Sequence, residues 1–81
     1  MKNFNDFNDS IALNYFKELY NDGGMSGDVY EDILMDSKDS ILSLDKNGNK
    51  NEIEKSVLDF LQDIGVISGD VYDTEMEFLN R

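Results

Sequence analysis

Acidic residues in this chain recur at the spacing that places side chains on one face of an α-helix. Asp28, Asp32 and Asp36 follow one another every four residues. The same spacing separates two further pairs, which are Asp59 with Asp63 and Asp73 with Glu77. Four residues of α-helix advance by about 6 Å, a step similar to that between successive phosphates of a nucleic-acid strand. A stripe of carboxylates can therefore imitate a phosphate backbone toward a basic groove.

The acidic residues are concentrated in two segments that contain no lysine or arginine. One lies between Lys17 and Lys38, and the other between Lys55 and Arg81. The net charge of −11 disfavours nucleic acid and anionic membranes as direct partners and favours a basic protein surface or a cation. The alternative is that these residues form a solvated face that only aids solubility. The candidate partner-binding residues are Asp28, Asp32, Asp36, Asp59, Asp63, Asp70, Asp73, Glu75 and Glu77.

The composition lacks the residue types that most often act in catalysis. The chain has no cysteine and no histidine, which removes the usual general base and the commonest zinc ligands. The remaining reactive groups are carboxylates, four tyrosines, lysines and serines. Their order resembles neither a nucleophile–base pair nor a phosphate-binding glycine loop. We expect no enzyme, no cofactor and no metal site.

The polar segment 45–50 has one alternative interpretation as a cation site. Its first five residues place oxygen-bearing side chains at alternate positions, as at the start of an EF-hand loop. However, Lys50 stands where that loop requires glycine, and Ser56 stands where a bidentate glutamate belongs. The favoured interpretation is a turn in which Asn51 caps the next helix. A divalent-cation-binding helical protein is the third functional alternative.

A repeated pentapeptide indicates how the chain is organised. Ser-Gly-Asp-Val-Tyr occurs at residues 26–30 and again at 68–72, an offset of 42 residues. The same offset relates other similar residues: Ile11 with Ile53, Leu19 with Leu61, Gly23 with Gly65 and Met25 with Ile67. We predict a single domain over residues 1–81. It contains an internal repeat at approximately 9–44 and 51–81, joined by the polar linker 45–50.

Each repeat has the pattern of two helices joined by a tight turn. Apolar residues recur at helical spacing over about residues 9–22, and Gly23 can provide the left-handed residue that ends a helix. Ser26 then suits the N-cap of the next helix. Met25 and Tyr30 have the spacing of a hydrophobic staple around that cap. With the second copy ending its first helix at Gly65, the sequence predicts an all-α protein, a small bundle of about four helices built from two similar αα-hairpins.

Residues 23–30, and more closely residues 65–72, resemble the centre of the short C-terminal domain family known as SHOCT. Both segments carry a glycine, an apolar residue, a serine, an acidic residue and then an aromatic residue. The resemblance implies tandem helical hairpins that mediate oligomerisation or attachment to other macromolecules. The family usually carries a lysine shortly after its aromatic residue. Here Ile33 and Leu34 occupy those places in one copy, and Glu75 and Met76 in the other. The resemblance implies a contact module rather than an enzyme.

The location of the protein is predicted from the absence of apolar segments. The first six residues contain no apolar run, and no apolar stretch approaches the roughly 20 residues that span a bilayer. These features predict a cytoplasmic protein without a membrane partner. The richness in Asn, Asp, Lys and Ile suits an AT-rich coding sequence, as in low-GC bacteria and their phages.

These observations predict a non-catalytic acidic protein-binding module. The most specific version of this hypothesis is a phage-type inhibitor, such as an anti-CRISPR or anti-restriction protein. It would occupy the basic nucleic-acid-binding surface of a host defence or DNA-processing protein. The alternative is a SHOCT-like adaptor that assembles proteins through apolar contacts. Candidate adaptor residues are Phe4, Phe7, Tyr20 and Tyr30. The oligomeric state is left open, with a homodimer among the alternatives.

Overall fold

The computed structural model describes residues 10–80, and this part of the chain folds into four α-helices and no strand. The helices are α1 (Ile11–Asn21), α2 (Gly27–Ser43), α3 (Lys50–Asp63) and α4 (Gly69–Leu79). A short 3₁₀ helix at Leu44–Lys46 joins α2 to α3. The predicted all-α class with two αα-hairpins is confirmed. The proposed adaptor residues Phe4 and Phe7 lie outside the described residues.

The first hairpin turns at a glycine in the left-handed conformation. Gly23 has φ = 89°, and its N–H donates to the Tyr20 carbonyl at 3.0 Å. The Gly24 N–H donates to the Leu19 carbonyl at 2.8 Å. These two hydrogen bonds form a Schellman motif, which satisfies the last carbonyls of α1.

The second hairpin turns in the same way. Gly65 has φ = 80°, and its N–H donates to the Gln62 carbonyl at 3.0 Å. The Val66 N–H donates to the Leu61 carbonyl at 2.9 Å. The predicted helix ends at Gly23 and Gly65 are therefore confirmed.

Both turns lead into a serine-capped helix. The Ser26 side chain accepts a hydrogen bond from the Val29 N–H, and the Ser68 side chain accepts one from the Val71 N–H, each at 3.3 Å. Both serines have extended backbone conformations, as N-cap residues do. The repeated pentapeptide thus encodes the start of a helix in both copies.

The start of α3 corrects one expectation. Asn49, rather than the predicted Asn51, is the N-cap. The Asn49 side chain accepts from the Glu52 N–H at 3.0 Å, and the Glu52 carboxylate accepts from the Asn49 N–H at 3.2 Å. This reciprocal capping box satisfies two amide groups at once, so the helix begins within the predicted linker. Asn51 instead donates to the Leu79 carbonyl at 2.6 Å and ties α3 to the end of α4.

The core is built mainly from α1 and α3. These two helices pack against each other, and each also packs against its hairpin partner. They supply most of the fully buried large side chains, which include Leu13, Phe16, Leu19, Val57, Leu58 and Leu61. In contrast, α2 buries only Ile33 and Ile41, and α4 contains no buried residue. The outer helices α2 and α4 therefore present broad faces to solvent.

Candidate functional site

The predicted stripe on α2 lies entirely on the surface. Asp28, Asp32 and Asp36 are all exposed, and α2 keeps helical geometry until Ser37, where φ is −130° and ψ is 16°. The three carboxylates therefore share one regular helical segment and project from one side of it. Like charges at this spacing destabilise a helix by about 0.2–0.5 kcal/mol per pair. This repulsion lowers the stability of α2, and the three exposed side chains add no burial in the core that would offset it.

The structure divides the predicted residues of α4 between two environments. Asp70, Asp73 and Glu77 are exposed, and their spacing places them along one helical face. Glu75 is half-buried, and one of its oxygens accepts a hydrogen bond from the Tyr15 hydroxyl at 2.9 Å. Glu75 therefore belongs to the contact between α1 and α4 as well as to the acidic surface.

The exposed acids of α3 lie beside those of α4. Asp59 and Asp63 are both exposed, and Asp59 accepts a hydrogen bond from the Tyr72 hydroxyl at 2.5 Å. This hydrogen bond is the main cause of a raised Tyr72 pKa, to which the charge of Asp73 also adds. The Tyr72 phenol thus lies near carboxylates of both helices and connects them into one acidic face.

A further carboxylate is buried and paired. Glu54 is 8% exposed, and its side chain contacts the Lys50 ammonium at 2.9 Å. The hydrogen bond and charge of Glu54 raise the pKa of Lys50. Sequence spacing alone did not distinguish this structural acid from the exposed ones. The i, i+4 order of Lys50 and Glu54 is the signal that could have identified the pair.

Asp45, the first residue of the segment that resembles an EF-hand loop, is already engaged within the fold. One carboxylate oxygen accepts from the Ser10 hydroxyl at 2.6 Å, and the other accepts from the Ala12 N–H at 2.9 Å. Asp45 therefore helps cap α1 from a distant part of the chain. Within residues 10–80, no group of three or more acidic, histidine or cysteine side chains is placed to hold a metal ion.

Tyr15 gives the protein an expected sensitivity to alkaline pH. Burial is the main cause of its raised pKa, and the hydrogen bond and charge of Glu75 add to it. The folded state therefore holds the phenolic proton more tightly than the unfolded chain, in which a tyrosine titrates near 10. The resulting stability is present below pH 10 and is lost as the pH rises above 10.

We expect Tyr15→Phe to flatten this alkaline loss of stability, because phenylalanine has no proton to release. Urea unfolding followed by circular dichroism between pH 8 and pH 11, bounds that bracket a tyrosine pKa of about 10, measures it. Glu75→Gln should change the slope less than Tyr15→Phe does, because burial, the main cause of the raised Tyr15 pKa, remains. Glu77→Gln is the matched control on the same helix and should keep the wild-type slope. An unchanged slope in Tyr15→Phe would contradict this assignment.

Comparisons with known protein families, curated proteins and solved structures find no match for this chain. None of the described helices has both the length and the apolar character needed to cross a bilayer. The features that bear on function are therefore those of the fold itself, which are an α1–α3 core and exposed acidic residues on α2, α3 and α4.

Proposed function

We propose that this chain is a non-catalytic acidic protein-binding module, a phage-type inhibitor that occupies the basic nucleic-acid-binding surface of a host protein. The observation that carries the proposal is the α2 stripe of Asp28, Asp32 and Asp36. All three carboxylates are exposed at regular helical spacing, within a segment that contains no lysine or arginine.

Electrostatics support this choice of partner. Complementary charge across an interface accelerates encounter and suppresses wrong partners, and a net charge of −11 repels nucleic acid itself. A basic groove that normally receives phosphates is the surface most complementary to regularly spaced carboxylates. The acidic face formed by α3 and α4 can extend the same contact beyond α2.

The test begins with affinity purification of partners from a bacterial lysate, followed by binding measurements on the purified partner. We expect a nucleic-acid-binding protein that is released by competing nucleic acid. Replacing Asp28, Asp32 and Asp36 together by Asn should weaken binding by about tenfold or more, since one close charge pair across an interface contributes about 1.5 kcal/mol or more. The salt dependence of binding should also become shallower.

A control tests whether binding depends on where the negative charges lie or only on how many the protein carries. Glu18→Gln combined with Glu52→Gln removes two exposed charges outside the stripe, and glutamine at residue 52 can still complete the capping box. Asp28→Asn combined with Asp32→Asn removes the same number from the stripe. The stripe pair should weaken binding more than the control pair. Equal effects, or unchanged affinity in the triple variant, would rule out mimicry by this stripe.

A second candidate function is an adaptor that assembles proteins through apolar contacts. Met35 on α2 is 83% exposed and Ile64 after α3 is 46% exposed, so apolar surface is available. Tyr20 and Tyr30 stack on each other with ring centroids 4.4 Å apart and lie against the core, which makes them less suited to a partner. The adaptor predicts that Met35→Ala weakens assembly, whereas charge removal from the stripe has little effect.

A further inference from the structure

We propose that the cleft between the end of α1 and the start of α4 receives an arginine side chain of the protein partner. The proposal rests on the proposed function, because it assumes a basic protein as the occupant. The cleft would recognise one particular side chain of the partner, whereas the exposed acidic residues attract the partner only through their summed charge.

The size of the cleft suits a single side chain. It encloses about 250 Å³, whereas pockets for small-molecule ligands typically enclose roughly 300–1,000 Å³. Its walls come from the Schellman turn after α1 and from the first turns of α4. An extended side chain that enters from solvent can therefore lie between the two helices.

The floor of the cleft is apolar. Leu19 of α1 is 2% exposed, and the half-buried Val71 of α4 faces the same space. Arginine carries a long aliphatic stem that packs on apolar surface while its charged head stays near water. The floor thus matches the stem of the proposed occupant.

The rim of the cleft is acidic. Asp22, Asp70 and Glu75 line it, together with Thr74, and the lining includes no basic residue. The hydrogen bond from Tyr15 to one oxygen of Glu75 holds this carboxylate at the cleft wall. Among the described residues, the second Glu75 oxygen receives no hydrogen bond. It is therefore available to accept one from the occupant.

The partial charges of the two helix ends do not make the cleft positive. The partial negative charge at the end of α1 is not offset by any basic residue in its last turn. The partial positive charge at the start of α4 is offset by Asp70. The cleft is therefore negative overall and complementary to a cation.

Arginine fits this arrangement better than lysine. Its planar guanidinium presents five N–H donors and is more weakly hydrated than an ammonium group. It can therefore bridge carboxylates on opposite walls while remaining partly enclosed. A lysine ammonium would favour the more strongly hydrated position outside the cleft.

The test is an NMR titration of the full chain, labelled with ¹⁵N, using the blocked peptide Gly-Arg-Gly at physiological salt. We expect saturable shifts in the amides of Leu19, Gly23, Gly24 and residues 70–75. A peptide with citrulline in place of arginine has the same shape without the charge and should cause no such shifts. A lysine peptide should bind more weakly than the arginine peptide. Equal binding by the lysine or citrulline peptide would overturn the assignment of arginine.

Variants locate the binding within the cleft. Asp22→Asn should weaken the arginine peptide by about two- to fivefold, the contribution of one partly exposed ion pair. Asp28→Asn on α2 removes the same charge away from the cleft and should change affinity by less than this. Thr74→Arg places a tethered guanidinium at the rim and should abolish saturable binding, whereas Ser40→Arg, near the far end of α2, should preserve it.

The outcomes distinguish this proposal from the proposed function. Asp22 and Thr74 lie outside the α2 stripe, and the peptide titration needs no natural partner. If the peptide fails to saturate or its shifts spread over the whole surface, the cleft proposal fails, even if the stripe variants weaken the partner. If the peptide binds as expected and the stripe variants leave the partner unaffected, only mimicry fails. Circular dichroism of each variant confirms that its helices are retained.

Discussion

Replacing Phe16 by alanine is expected to remove a large share of the stability of this protein. Phe16 is fully buried at the centre of the α1–α3 core and stacks on Tyr30 of α2 with ring centroids 4.9 Å apart. Truncating a buried phenylalanine costs about 3–5 kcal/mol through lost burial and the cavity left behind. A chain of this length has a total stability of about 4–12 kcal/mol at 0.05–0.15 kcal/mol per residue.

Urea unfolding followed by circular dichroism measures this loss, with Met35→Ala as the control. Met35 is 83% exposed, so its truncation should change the free energy of unfolding by no more than about 0.5 kcal/mol. Phe16→Leu should fall between the two, because leucine fills part of the space and loses the ring stack. A loss below about 1 kcal/mol in Phe16→Ala would show that the α1–α3 contact is not the centre of the core.

Replacing Asp45 by alanine is expected to be the most damaging change at an acidic residue. Both carboxylate oxygens accept hydrogen bonds at the start of α1, from Ser10 and from Ala12. Hydrogen bonds to charged groups contribute about 1.5–3 kcal/mol each, and partial exposure of Asp45 lowers the combined effect. We expect a loss of about 2–3 kcal/mol in the free energy of unfolding.

Asp39→Ala on α2 is the matched control for this effect, because Asp39 is exposed and should contribute little. Asp45→Asn should be intermediate, since an amide keeps one acceptor oxygen and loses the other.

Addition of millimolar calcium should alter the free energy of unfolding of the wild type no more than magnesium does. A calcium-specific stabilisation that disappears in Asp45→Ala would contradict the role of Asp45 as a helix cap.

The sequence determined the fold class because its signals are local. The left-handed conformation at Gly23 and Gly65 requires only glycine and the preceding helix. The caps at Ser26 and Ser68 are satisfied three residues later in the chain. Such hydrogen bonds close within one helical turn, so the residue pattern was enough to predict four helices and their hairpin turns.

Where two local signals competed, the prediction was less accurate. Asn49 and Asn51 can both cap a helix, and Asn51 was predicted to do so. The reciprocal bond between Asn49 and Glu52 decided in favour of the earlier start. The asparagine-x-x-glutamate order carries that signal, and reading it as a capping box would have identified the cap.

Only the tertiary structure shows which acidic residues are held by contacts within the fold and which remain exposed. The sequence analysis placed Glu75 among the candidate partner-binding residues together with the exposed Glu77, and it could not separate Asp45 or Glu54 from the surface acids. Glu75 meets Tyr15 from 60 positions away and Asp45 meets Ser10 from 35 positions away. Such partners become neighbours only when α1 packs against the rest of the bundle. Helical periodicity determined which carboxylates share a face, and packing determined which of them remain available to a partner.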